Sequence, residues 1–206
     1  MYWRGEADNR WGAQFRIIFI HSDGSVMAAT KKKQAAAPTW PAAIFKTLKD
    51  ADIAQVSYVP DAGHAELIKS CLADNHIKTT RLTTEEEGVA LSLGAWLGGD
   101  RSALLMQSSG VGNCINMLSV IEETRSPLLM LVTMRGEWGE FNPWQIPMGQ
   151  GTQKSLEDAG VIVYHVDDPD DVAETIYAAS QLAFNSYRAV AVLIGQRIIG
   201  FKDWRK

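Results

Sequence analysis

Two cysteines are all that this chain of 206 residues holds, and Cys71 and Cys114 are spaced for neither a zinc site nor a redox pair. The thiols read as free, as in a reducing, cytosolic compartment. Long apolar runs are missing near the start, where Ile17–Ile20 is far too short for a signal segment or a membrane span. A basic excess is missing too. Lys and Arg number 20 against 24 Asp and Glu, and the net charge of −4 leaves no electrostatic footprint for nucleic acid. The lysines of KKKQAAAP form too short a run to change this and read as a solvated linker. What is present is an ordinary hydrophobic content of 46% and seven Trp, many for this length. Several Trp are expected to face a partner chain, since aromatic residues concentrate at interface cores.

Residues 1–37 differ from the rest. A short strand in FRIIFIH and an SDG turn stand among scattered Trp, Arg and Gly, which predicts an extended or poorly ordered N-terminal arm. From residue 38 to 206 the pattern alternates as one domain. Strands are predicted in AQVSYV, KTTRL, SALLMQ, LLMLVTM, VIVYHV and AVAVLIG, with helical segments between them. A loop SSGVGN is expected before the helix CINMLSVIEET, and a long loop from Arg135 to Gly149. About six strands, several apolar throughout, predict a three-layer α/β fold with a mostly parallel sheet and helices on both faces. Ligands of such sheets sit beyond the carboxyl ends of the strands. That rule selects VPDAGH, LTTEEEG, QSSGVGN and MRGEWGEFNPWQIPMG.

Glu85, Glu86 and Glu87 open a helix that is otherwise apolar or small. Thr83 with Glu86, or Thr84 with Glu87, fits a capping box, and acids favour a first helical turn. The other reading follows from the helix's hydrophobicity, which sends it into an interior or an interface. Neighbouring residues point about 100° apart, so at most one or two of the acids can enter the same poorly hydrated site and serve in proton transfer. SSGVGN fails as a Walker A loop and as a dinucleotide fingerprint, though its glycines allow close backbone approach. Asp61 is expected as a helix N-cap, and His64 as a first-turn residue that titrates near neutrality or is simply exposed. The long loop, dense in Trp, Gly, Arg and Glu, reads as functional. Its Arg135 either receives a carboxylate or sulfonate in its planar fork or pairs with Glu137 at the surface.

Taken together, VPD at 59–61, TTEEEGVALSLGAWL at 83–97, LLMQSSGVGNCINML at 104–118, PLLMLVTMRGEWGE at 127–140 and QIPMGQ at 145–150 resemble a known family. It is the pyrimidine-binding (PYR) domain of thiamine-diphosphate-dependent decarboxylases, of the sulfopyruvate decarboxylase α-subunit and phosphonopyruvate decarboxylase type. The resemblance implies thiamine diphosphate as cofactor, and a glutamate seated against N1′ of its aminopyrimidine. Counted against the downstream glycine and small residues, that glutamate falls on Glu86, an offset to Glu85 or Glu87 being the alternative. It further implies that Val59 and Pro60 lie beside the pyrimidine and that Gly110, Gly112 and Asn113 line the cleft. Asp61, His64, Arg135 and Gln145 are expected on the substrate side. Such enzymes hold diphosphate and Mg2+ with a Gly-Asp-Gly stretch, which does not occur here. The expectation is therefore half an active site without metal ligands of its own, completed by a β subunit with a diphosphate-binding domain. The activity implied is decarboxylation of a 2-oxo acid. The competing possibility is a non-catalytic scaffold or regulatory subunit of such a complex.

Overall fold

The structure, a computed structural model, describes residues 39–201 and, before them, the backbone of two short strands. The chain divides into two compact units, Met1–Ala37 and Pro38–Lys206. In the first, β1 (Ile18–Ile20) pairs antiparallel with β2 (Val26–Ala28), placing Phe19 opposite Met27. The rest of the predicted arm lies outside the described residues.

In the second unit α1 (Trp40–Asp50) leads into β3 (Ile53–Tyr58), α2 (Ala65–Ala73), β4 (Lys78–Arg81) and α3 (Glu85–Leu97). Then come β5 (Arg101–Gln107), α4 (Ser108–Thr124), β6 (Leu128–Thr133) and, after a single 3-10 turn at Pro143–Gln145, α5 (Ile146–Asp158). β7 (Ile162–Val166), α6 (Val172–Ser186), β8 (Ala189–Ile194) and the short α7 (Gln196–Ile199) complete the series. The six strands run parallel in the order β4-β3-β5-β6-β8-β7.

The continuous apolar runs of β5 and β6 follow from burial on both faces. Alternate side chains go to opposite sides of a sheet. Ala103, Leu105, Leu129 and Leu131 pack with α1, α2 and α6, while Leu104, Met106, Leu128, Met130 and Val132 pack with α3, α4 and α5. None of these nine is more than 1% exposed. Each fully buried leucine contributes roughly 1.5–3 kcal/mol of transfer free energy.

Strand order places the site. From β3 the chain steps outward through α2 to β4, then crosses back through α3 on the other face to β5. The crevice of a doubly wound sheet opens at such a reversal, between the carboxyl ends of β3 and β5. Two boundaries differ from expectation. α4 begins at Ser108, directly after β5, so SSGVGN is its first turn and a half and not a loop. α5 begins at Ile146 with Pro147 in its first turn, where a missing N–H costs nothing.

Candidate active site

A hydrogen bond from the Leu82 N–H to the Tyr58 carbonyl, 2.9 Å, carries the pairing of β3 and β4 one residue beyond β4. α3 then starts, with its buried residues at Glu85, Gly88, Val89, Ser92 and Ala95. These fall on one face by the i, i+3, i+4, i+7 rule. Gly88 marks how closely that face presses on the sheet, since a methyl there would collide with Leu104 of β5, its Cδ2 at 3.1 Å and Cδ1 closer still. Glu85 is 8% exposed. The expected cleft-facing position of Glu86 is corrected: Glu86 is turned to solvent, a rotation of about 100° from its buried neighbour. Glu87 is exposed and its Oε2 accepts the Thr83 backbone N–H at 2.8 Å, a reach back over the helix start like that of a capping box.

Glu85 lies against the first turns of α4. Gly110 is buried under its side chain, and a Cβ at Gly110 would collide with the carboxylate and meet Cγ at 2.6 Å. One turn on, Asn113 donates from Nδ2 to Glu85 Oε2 at 2.8 Å. Glu85 Oε1 has no hydrogen-bond partner among the described residues. Cys114 is buried next to this pair, and burial, reinforced by the charges of Glu85 and Glu86, pushes its thiol up to about 12. Val59 is half-buried against the same core face that holds Val89 of α3, and Pro60 is exposed beside it. Gly112 is exposed and approaches Met148 of α5.

Asp61 does not cap α2, whose N-cap position is His64. Its carboxylate turns instead to the ends of β5 and β6. Oδ2 accepts the Thr133 hydroxyl at 2.5 Å and the His64 backbone N–H at 3.3 Å, and Oδ1 accepts Gln107 Nε2 at 3.2 Å. Burial by itself would raise the Asp61 pKa. The Thr133 hydroxyl, His64, Gln107 and the Gly63 N–H together outweigh it and hold the carboxyl below its ordinary value. His64, expected at the surface or on the substrate side, is 1% exposed, with Nε2 against the Leu131 carbonyl at 3.0 Å and Nδ1 unpartnered among the described residues. Burial pushes its pKa down, against the pull of Asp61 and the Leu131 and Met106 carbonyls. A ring enclosed in this way is a part of the sheet's end.

Arg135 is likewise committed. Its Nε and Nη2 grip Glu140 as a fork, at 2.8 and 2.7 Å, and its own N–H bonds the Ser108 hydroxyl at 3.1 Å. The partner is thus Glu140 and not Glu137, held along the Nε and Nη2 edge of the guanidinium. The Glu140 side chain is 2% exposed. Burial would raise its pKa, but Arg135 and the N–H groups of Asn142 and Gly136 bring it down to about 2. Gln196, fully buried just after β8, was not visible as a functional residue in the sequence. Its Oε1 accepts the N–H groups of Glu137 and Trp138, each at 2.9 Å, and its Nε2 donates to Glu140 at 3.0 Å. Gln145 is half-buried in the 3-10 turn, with its Oε1 buried and unpartnered among the described residues. Trp138 and Trp144 of the same loop are 42% and 73% exposed.

Among the described residues no helix is long and apolar enough to cross a membrane. No protein-family model matches the chain. The architecture is the PYR-type fold of thiamine-diphosphate-binding enzymes. In fold alone it is similar to a chain of the 2-oxoglutarate:ferredoxin oxidoreductase from Magnetococcus marinus, with a TM-score of 0.65 at 18% identity, over 79% of this chain and 29% of that one. Similarity in sequence is more specific. The chain is 37% identical over 153 residues to the sulfopyruvate decarboxylase subunit alpha of Methanococcus maripaludis, 74% of this chain and 92% of that protein. It is 35% identical to the same subunit of Methanocaldococcus jannaschii over 73% of this chain and 90% of that protein. The phosphonopyruvate decarboxylase of Streptomyces viridochromogenes is 32% identical over 62% of this chain, but only 32% of that longer protein. The chain belongs to the family of sulfopyruvate decarboxylase alpha subunits.

Proposed function

We propose that this chain is the PYR-domain subunit of a thiamine-diphosphate-dependent 2-oxo acid decarboxylase, with Glu85 as its activating acid. The observation that carries the reading is the setting of Glu85. It is a buried carboxylate at the sheet's topological switch, with one oxygen held by Asn113 and the other without a hydrogen-bond partner among the described residues. Such an oxygen is what a ring nitrogen bearing a shared proton requires, and poor hydration strengthens that hydrogen bond. The residues therefore fit the aminopyrimidine end of the cofactor. When bound, thiamine diphosphate supplies the electron sink for loss of CO2.

This chain's part is to hold and orient. Glu85 would hold and exchange the proton at the pyrimidine edge of a bound cofactor, Gly110 leaves room for its side chain, and Val59 and Pro60 would border the ring. Asp61, fixed by Thr133 and Gln107, keeps the end of β3 registered against β5 and β6. Diphosphate and Mg2+ fall to a partner β subunit, a reading supported by the "subunit alpha" names of relatives that this chain spans almost end to end. The exposed Trp138 and Trp144 suit the boundary with that partner. The cytoplasm is the compartment consistent with two buried free thiols.

The test is Glu85→Gln in the assembled complex. Turnover of the 2-oxo acid should fall by roughly 10²–10⁴-fold while assembly persists, and Glu86→Gln should stay within a few-fold of the parent. The opposite pattern would return the role to Glu86.

A further inference from the structure

Asn113 was expected to line the cleft, yet its amide is spent on a neighbouring side chain. It is the one hydrogen-bond donor to the Glu85 carboxylate among the described residues, at 2.8 Å, and none of their ion pairs involves this carboxylate. Asn113 is itself exposed, so packing of the core does not dictate its identity. Its position is set by α4: starting at Ser108, the helix puts Gly110 and Asn113 three residues apart on one face, the first leaving room against Glu85 Oε1 and the second donating to Oε2. An ionised carboxylate has about four lone-pair sites. Occupying Oε2 and seating the chain on Gly110 leaves a single oxygen to receive a proton, in one orientation.

We propose that Asn113 is a positioning residue, which binds Glu85 Oε2 so that Oε1 alone is presented to the cofactor's pyrimidine edge. The inference rests on the assignment of Glu85 above. An uncharged donor is suited to the task. It fixes the carboxylate without the strong bias toward ionisation that a cation would impose. Replacing the amide by a second carboxylate removes the donor and adds a like charge within hydrogen-bond distance, which makes the pair hold a proton more tightly.

The experiment uses the full chain assembled with its partner subunit, thiamine diphosphate and Mg2+, and compares Asn113→Ala, Asn113→Asp and Glu85→Gln. Three quantities are read: kcat against pH, the dissociation constant of thiamine diphosphate, and the near-ultraviolet circular dichroism of the bound cofactor, which reports the tautomer of its ring. Asn113→Ala should lower kcat by roughly 10-fold or more with cofactor affinity changed less than about threefold. Asn113→Asp should move the acid limb of the pH profile, and the tautomer midpoint with it, upward by about one unit or more. The proposal is overturned if cofactor affinity and kcat fall together with the midpoint unmoved, because Asn113 then touches the cofactor directly. Wild-type behaviour of both variants also overturns it. Glu85→Gln separates the two levels: an active Glu85→Gln complex sinks the parent reading, whereas an inactive one beside unaffected Asn113 variants sinks this inference alone.

Discussion

Gly110→Ala is the sharpest probe of the packing between α3 and α4. The added methyl would collide with the Glu85 carboxyl, Oε1 first, and meet Cγ at 2.6 Å, so the acid or the helix must move. Overpacking of that kind costs about 1–3 kcal/mol. Alanine is also the better helix former by up to about 1 kcal/mol, and Gly110 lies inside α4. The single variant should therefore range from near neutral to about 2 kcal/mol less stable. In a Glu85→Ala background the obstacle is gone, and the same change should become neutral or stabilising by up to about 1 kcal/mol. The coupling between the two sites is then about 1–3 kcal/mol, obtained from urea unfolding of the four proteins, each full length and without partner. Additivity within about 0.5 kcal/mol would show that Glu85 does not rest on Gly110 and would refute the seat described here.

Arg135→Ala leaves the Glu140 carboxylate without its forked partner and should cost roughly 2–4 kcal/mol in thermal unfolding; a loss below about 1 kcal/mol would contradict the burial of the pair. Because the Glu140 pKa is lowered from 4.5 to about 2, its contribution is complete above pH 4.5 and declines as pH falls toward 2, so Glu140→Gln should flatten the acid unfolding curve in that window. His64 is buried with a pKa below its ordinary 6.5. Below pH 6.5 the unfolded chain binds a proton that the folded chain refuses, and stability should drop by up to about 1.4 kcal/mol per pH unit, a slope that His64→Leu abolishes. The Cys114 thiol, pushed up to about 12, should resist alkylation at pH 8 until the protein unfolds, and rapid labelling of the native chain would disprove its enclosure.

The α/β architecture was legible because its signals are large. Runs such as LLMLVT cannot be anything but interior strands when helical segments separate them, and all six predicted strands are present. The phase of α3 was not legible. Its apolar residues surround the axis, so no stripe told which of three glutamates points inward. A faint signal did exist: Gly88 and Ser92 stand three and seven residues after Glu85, and small residues mark the side of a helix that lies close to its support. Ser108–Asn113 looked like a loop because Ser, Gly and Asn are poor helix formers. Tertiary demand overrides that propensity, as only a nearly bare helix start leaves room for the Glu85 side chain. The clamp of Gln196 on Glu137 and Glu140 joins segments more than fifty residues apart and leaves no local pattern to read.

The three adjacent acids also carry a consequence for how this chain tolerates change. Identical in chemistry, they differ only in azimuth, one facing inward and two turned to solvent. Losing a single residue between Glu87 and Ser92 would scarcely alter mass or formal charge, yet it would wind the helix start by more than a quarter turn. The interior acid would swing out, and another would take its place at a different height above α4. Deletions in this stretch should therefore be far more damaging than substitutions at positions 86 and 87.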